Sequence, residues 1–266
     1  MRRFALLSSA GLICASALFG GDASQSAAIS KFLAHTPLSF ERNKGQAADH
    51  SAEWIGHANG YRLTLNATGA TIVPATPGHS DVVRMQLADV RPQAASQAFE
   101  PLPGKTNYLI GQDPKRWIRD LPTYARVEYR EAYPGIDVAW YGNRDQLEYD
   151  FLLKPGADPQ RIRVRFEGAS KLALEADGDI RIETAAGPMM LHVPKVYQDV
   201  AGTRKQVDGR YVMRAANEIA FDLAGYDKSK PLVIDPTLSY GTYFGGGLNI
   251  TAMATDKSGD VYVGGS

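Results

Sequence analysis

Cysteine is almost absent: the 266 residues contain one, Cys14. It lies close to the amino end, inside a stretch that reads as a removable export signal. With that stretch gone the chain holds no thiol, which excludes disulfides and Cys-ligated metal and leaves stability to an apolar core. Charge of one sign is also lacking, because Lys plus Arg and Asp plus Glu both number 29. No global field gathers nucleic acid or an anionic bilayer around such a molecule, so neither partner is expected. Long apolar runs are missing too. The longest, Phe4 to Phe19, is broken by Ser and Gly and falls short of the roughly 20 residues needed to span a bilayer.

Arg2 and Arg3 precede that run and small residues follow it, the layout of a secretory signal. Residues 1–28 are therefore expected to be a signal peptide, and the protein to be exported to the periplasm, the cell surface or the medium, with no membrane span after processing. The whole chain is 44% apolar and 22% charged, the range of globular proteins rather than of disordered ones.

Helical periodicity is absent after Pro37. In its place stand short runs that alternate apolar and polar residues, the mark of half-buried strands. In Arg161-Ile162-Arg163-Val164-Arg165-Phe166 the apolar side chains face one way and three arginines the other. Tyr61–Leu65, Val83–Leu87, Lys171–Leu174, Asp179–Ile182 and Glu218–Leu223 repeat the pattern. Asp177-Gly178, Asp208-Gly209 and Gly142-Asn143-Arg144-Asp145 fall between runs and read as hairpin turns. The expected fold is all-β, antiparallel and sandwich-like. Prolines 101, 103, 114 and 122 mark 100–122 as a linker or long loop. This divides the chain into β-rich parts at 29–122 and 123–236, with a glycine-rich tail at 237–266.

The tail carries Leu238-Ser239-Tyr240-Gly241-Thr242-Tyr243-Phe244-Gly245-Gly246-Gly247 and Asp256-Lys257-Ser258-Gly259-Asp260-Val261-Tyr262-Val263-Gly264-Gly265. These segments resemble the SBBP family of bacterial β-propeller repeats. Phe40–Gln46, Asn107–Gly111, Tyr133–Asp137, Leu147–Phe151, Lys154–Pro159 and Leu232–Pro236 resemble the uncharacterised β-rich domain that precedes such repeats in exported bacterial proteins. The resemblance implies export and an incomplete propeller blade at 237–266, and it brings no catalytic residue with it. A blade needs about 40–45 residues and neighbouring blades to bury its faces. The tail is expected to continue into a longer propeller.

Chemistry-bearing patterns are sparse. No Gly-x-Ser-x-Gly elbow, phosphate-binding glycine loop or His-Glu-x-x-His helix occurs, and the five histidines are scattered. Glu148 and Asp150 share a strand face, as an acid/base pair would, or as an ordinary solvated face would. Asp256–Asp260 has the outline of a calcium loop without its distal glutamate. No metal, cofactor or catalytic group is expected. The remaining candidates are contact residues for a glycan or protein: the arginine stripe Arg161, Arg163 and Arg165, with Glu167, Glu175, Asp177 and Asp179 as neutralising neighbours, and the aromatics Trp117, Trp140 and Tyr141. Two functions are open. One is a non-catalytic exported module leading into a propeller used for adhesion or for protein or glycan interaction. The other is the amino-terminal part of an extracellular polysaccharide-acting enzyme whose active site lies in the propeller.

Overall fold

The computed structural model describes residues 37–58, 61–74, 82–143, 146–200, 202–240, 250–255 and 261–265. The expected signal peptide, His35, His79, Tyr243, Phe244 and the Asp256–Asp260 turn lie outside the described residues. The strands of the amino-terminal part are β1 (Ser39–Arg42), β2 (Trp54–His57), β3 (Tyr61–Asn66), β4 (Gly69–Pro74), β5 (Val83–Leu87), β6 (Ser96–Tyr108) and β7 (Ile118–Tyr133). Then come β8 (Ile136–Gly142), β9 (Gln146–Leu153), β10 (Arg163–Glu167), β11 (Lys171–Leu174), β12 (Ile180–Glu183) and β13 (Met189–Val200). The last are β14 (Thr203–Val207), β15 (Gly209–Ala215), β16 (Glu218–Leu223), β17 (Leu232–Tyr240), β18 (Ile250–Thr255) and β19 (Val261–Gly265). Two short 3-10 turns, Pro114–Arg116 and Pro159–Arg161, each have an aspartate side chain capping the first turn.

Every pairing is antiparallel. From β15 the ladder runs through β16, β10, β5, β4, β3, β2 and β1 to β7. It then passes through β8, β9 and β17 to β13, β12 and β11. The two arms bend toward each other, and the Tyr211 hydroxyl on β15 donates to the His192 carbonyl on β13 at 2.8 Å. The sheet is thereby nearly closed into a barrel-like shape. Among the described strands, β6 and β14 pair only with β7 and β13 respectively, and β18 pairs with β19 as a separate two-stranded sheet.

Alternation explains the packing. Val127 and Tyr129, Val138 and Trp140, Leu147, Tyr149 and Phe151, and Ile234 and Leu238 all point inward into one core. Leu63, Leu65 and Met85 from the amino-terminal strands join the same core. Trp140 stacks on Tyr149 at 5.2 Å between ring centroids, and Phe151 meets Phe221 edge-on at 5.6 Å.

Several expectations change here. The stretch 100–122 is no linker: β6 and β7 pair across it, with register shifts near Pro101 and after Thr106. Position 122/123 falls inside β7, and position 236/237 inside β17. The latter strand continues to Tyr240, paired with Met189. Asp177-Gly178 does form a hairpin, with Gly178 at φ +94°. At the Gly142 turn φ is +137°, and a Cβ would collide with the Gln146 carbonyl. Asp208-Gly209, in contrast, joins β14, paired with β13, to β15, paired with β16, so the chain changes partner there instead of folding back.

Candidate functional site

Three polar arrangements stand out on this barrel. The first is a groove of about 620 Å³ lined by Asp89, Tyr133, Gln160, Arg161, Arg163 and Arg214, with Glu218 at its base. Arg161 ends the 3-10 turn Pro159–Arg161, ahead of the strand that was expected to carry it. Arg163 and Arg165 alternate with buried Val164 and Phe166 on β10. Their counter-charges are not the expected acidic neighbours. Glu218, buried on β16, accepts from Arg165 at 2.8 Å and sits 3.7 Å from Arg163. Asp89, in the left-handed region at φ +56°, pairs with Arg163 from the other side. Glu167 instead accepts from Gln86 at 3.2 Å. Arg161 and Arg214 are exposed on the rim, and neither guanidinium has an acidic partner among the described residues.

The second arrangement is the outward face of β8, β9, β17 and β13. Glu148 and Asp150 share it, as the period of the strand requires. The register of β9 against β17 places Asp235 across from Asp150 and Thr237 across from Glu148. Lys195 stands opposite Asp235 on β13. Burial pushes Asp150 up to about 6, against the bond from Tyr141 and with help from Asp235, while Arg126 opposes the rise. Asp235 is raised by burial too, and Glu148 by burial and by Asp235. The Tyr141 hydroxyl donates to Asp150 at 2.8 Å, and Arg126 lies 5.0 Å over the Tyr141 ring. Arg204 covers Tyr197 at 3.8 Å. Asp235 Oδ1 has no hydrogen-bond partner among the described residues. Alternating cations and aromatics thus roof a carboxylate pair.

Farther along the same face, Ser239 on β17 meets His192 on β13. The Ser239 Oγ lies 2.8 Å from His192 Nε2, and His192 Nδ1 lies 2.8 Å from Asp179 Oδ2. The other Asp179 oxygen accepts the Val193 backbone N–H at 2.8 Å.

The aromatic candidates separate. Trp140 is fully buried, so its ring serves the core and is withdrawn as a contact residue; its position in phase with Ile136 and Val138 already placed it there. Tyr141 is half-buried and spent on Asp150. Trp117 ends the 3-10 turn at the tip of the β6–β7 hairpin, donates its Nε1–H to the Gly111 carbonyl at 3.0 Å, and carries Arg119 at 4.8 Å over its ring. It remains accessible beside exposed Leu109 and Ile110.

Residues 40–237 match the family described as Domain of unknown function (DUF7948). The chain belongs to this family. The DUF7948 domain therefore covers the barrel from β1 into β17 and holds all three arrangements except Ser239, which lies two positions beyond the match. The SBBP-repeat half of the resemblance has no counterpart in that match. Neither the curated proteins nor the solved structures contain a match to this chain.

Among the described residues no group of His, Asp or Glu side chains is arranged to hold a metal ion, and no helix is long and apolar enough to cross a membrane. Sequence reading missed Asp89, Arg214 and Glu218 as groove residues, and Asp179, His192 and Ser239 as a set. Each set is assembled by pairings between distant strands, for which short-range patterns carry no signal.

Proposed function

We propose that this DUF7948 domain is an exported interaction module that leads into a β-propeller and engages an acidic glycan through the Arg161–Arg163–Arg214 groove. The observation that carries this reading is the unequal commitment of the arginines. Arg163 and Arg165 are held in place by Asp89 and Glu218. Arg161 and Arg214 line the same concavity with their side-chain donors unspent among the described residues. A guanidinium presents a planar fork of donors that matches a carboxylate or sulfate, and a pair of them across a groove selects a ligand with spaced negative charges. The balanced net charge adds no long-range attraction, so recognition is local to the groove. The export signal and the resemblance of the tail to propeller repeats support the cell-surface setting.

Calorimetric titration with a short heparin oligosaccharide, with uncharged dextran as control, tests the reading. Wild type should bind the sulfated chain and ignore dextran. Arg161→Ala with Arg214→Ala should weaken binding roughly a hundredfold, at about 1.5 kcal/mol for each lost charge-assisted contact. Equal affinity of the double variant would overturn it. N-terminal mass spectrometry checks export: the mature protein should be recovered outside the cytoplasm without its signal segment, and an intact Met1–Phe19 stretch on soluble cytoplasmic protein would count against it.

A further inference from the structure

We infer that Ser239 is an activated nucleophile, with His192 as its general base and Asp179 as the group that orients the imidazole. The inference goes beyond the binding reading and stands on separate residues. A serine hydroxyl is a weak nucleophile unless a base takes its proton as it attacks, and the base works only in one tautomer and one orientation. All three conditions are met in the hydrogen bonds already described. With Asp179 accepting from His192 Nδ1–H, the other ring nitrogen, Nε2, is left as an acceptor for the Ser239 hydroxyl at 2.8 Å. Asp179 is itself fixed by the Val193 N–H, and the His192 backbone by the Tyr211 hydroxyl. The set is open to reagents: the His192 side chain is 42% exposed, whereas Asp179 is mostly covered at 16%. Covered acid, half-open base and half-buried hydroxyl, whose other contact is the Met190 carbonyl at 3.5 Å, follow one another in the order that proton transfer away from serine requires.

The site differs from a turnover enzyme in one respect. Ser239 stands between two paired strands, with Met190 opposite on one side and Gln146 on the other. Its peptide groups belong to the ladder, so they do not form a hole for an oxyanion, the feature that supplies much of the rate in acyl transfer. The chemistry this geometry supports is a single acylation by an activated carboxylic ester. Ser239 Oγ bonds to the acyl carbon as the ester C–O bond breaks. The hydroxyl proton passes to His192 Nε2 and on to solvent, and the leaving alkoxide or phenolate departs with the bonding electron pair.

The test is incubation of the full chain with p-nitrophenyl acetate, followed by intact-mass analysis and peptide mapping. One acetyl group should appear on Ser239, well ahead of any on the exposed serines Ser51 and Ser170. His192→Gln should slow that step roughly a hundredfold, the usual contribution of a positioned base. Asp179→Asn keeps an oxygen for the Val193 N–H but turns a donor toward His192, and it should slow acetylation as well. Unchanged thermal melting of both variants will show that the barrel is intact. Acetylation of Ser239 at the rate of Ser51 and Ser170, or at an unchanged rate in a folded His192→Gln protein, would overturn the inference.

Discussion

Two buried carboxylate sites, Glu41 on β1 and Asp150 on β9, end with pKa values shifted in opposite directions although burial raises both. Glu41 on β1 is fully buried beneath the β6–β7 hairpin, where it accepts from the Tyr108 hydroxyl and lies 3.4 Å from both Gln46 Nε2 and His57 Nε2. Burial alone would raise its pKa, but the surrounding polar groups of His57, Thr106 and Tyr108, of which the Tyr108 hydroxyl bonds the carboxylate directly, outweigh it and hold Glu41 below the usual carboxylate range. Asp150 gains one strong donor, Tyr141, and faces a second carboxylate, Asp235, across the β9–β17 ladder. Burial wins there, and Asp150 rises to about 6. The number and kind of donors, more than depth, decide whether a buried acid remains charged.

A change in the core that both sites share should not distinguish them, and it should be the largest effect. Trp140→Ala removes a fully buried ring stacked on Tyr149 and is expected to cost about 3–5 kcal/mol at acid and neutral pH alike. Urea titrations at both pH values check this.

Asp150 comes next. Its folded value of about 6 exceeds the ordinary 3.8, so the native state holds the proton more tightly than the unfolded chain. Its contribution is present in full below pH 3.8 and is lost as pH rises through about 6, up to about 3 kcal/mol. Asp150→Asn preserves an acceptor for Tyr141 and should melt above wild type at pH 8, with the gain gone at pH 4. A gain at pH 4 equal to that at pH 8 would mean that charge is not the cause.

Glu41 should show the reverse slope. Its lowered pKa contributes stability above the ordinary 4.5 that is lost as pH falls through the folded value. Glu41→Gln should therefore destabilise by about 1–3 kcal/mol at pH 7 and by less in acid. The smallest effect belongs to Arg161→Ala and Arg214→Ala, which touch no acidic partner among the described residues and should leave the melting temperature nearly unchanged while weakening ligand binding.

The strands themselves were legible wherever burial is one-sided: Arg163–Glu167, Lys171–Leu174 and Ile180–Glu183 form as their alternation requires. Prolines misled at Pro101 and Pro103, because β6 pairs on one edge only and a missing N–H there costs no ladder bond on the open side. Rising glycine content after Pro236 hid the fact that β17 continues between β9 and β13. Arg161 and Arg163 were visible as a stripe, but Arg214 arrives from the far end of β15, and Asp89 from beyond β5. His192 and Ser239 are 47 positions apart and meet only through the β13–β17 register.

The central claim is that a ligand seats in the arginine groove and not on the acid-bearing face or the Trp117 tip. Hydrogen exchange with and without saturating heparin oligosaccharide reads this residue by residue. The account predicts slowed exchange over 158–165 and 213–218, with 146–150 and 233–239 unaltered. Protection confined to the β6–β7 tip or to the Asp150–Asp235 face, or none anywhere, would contradict it.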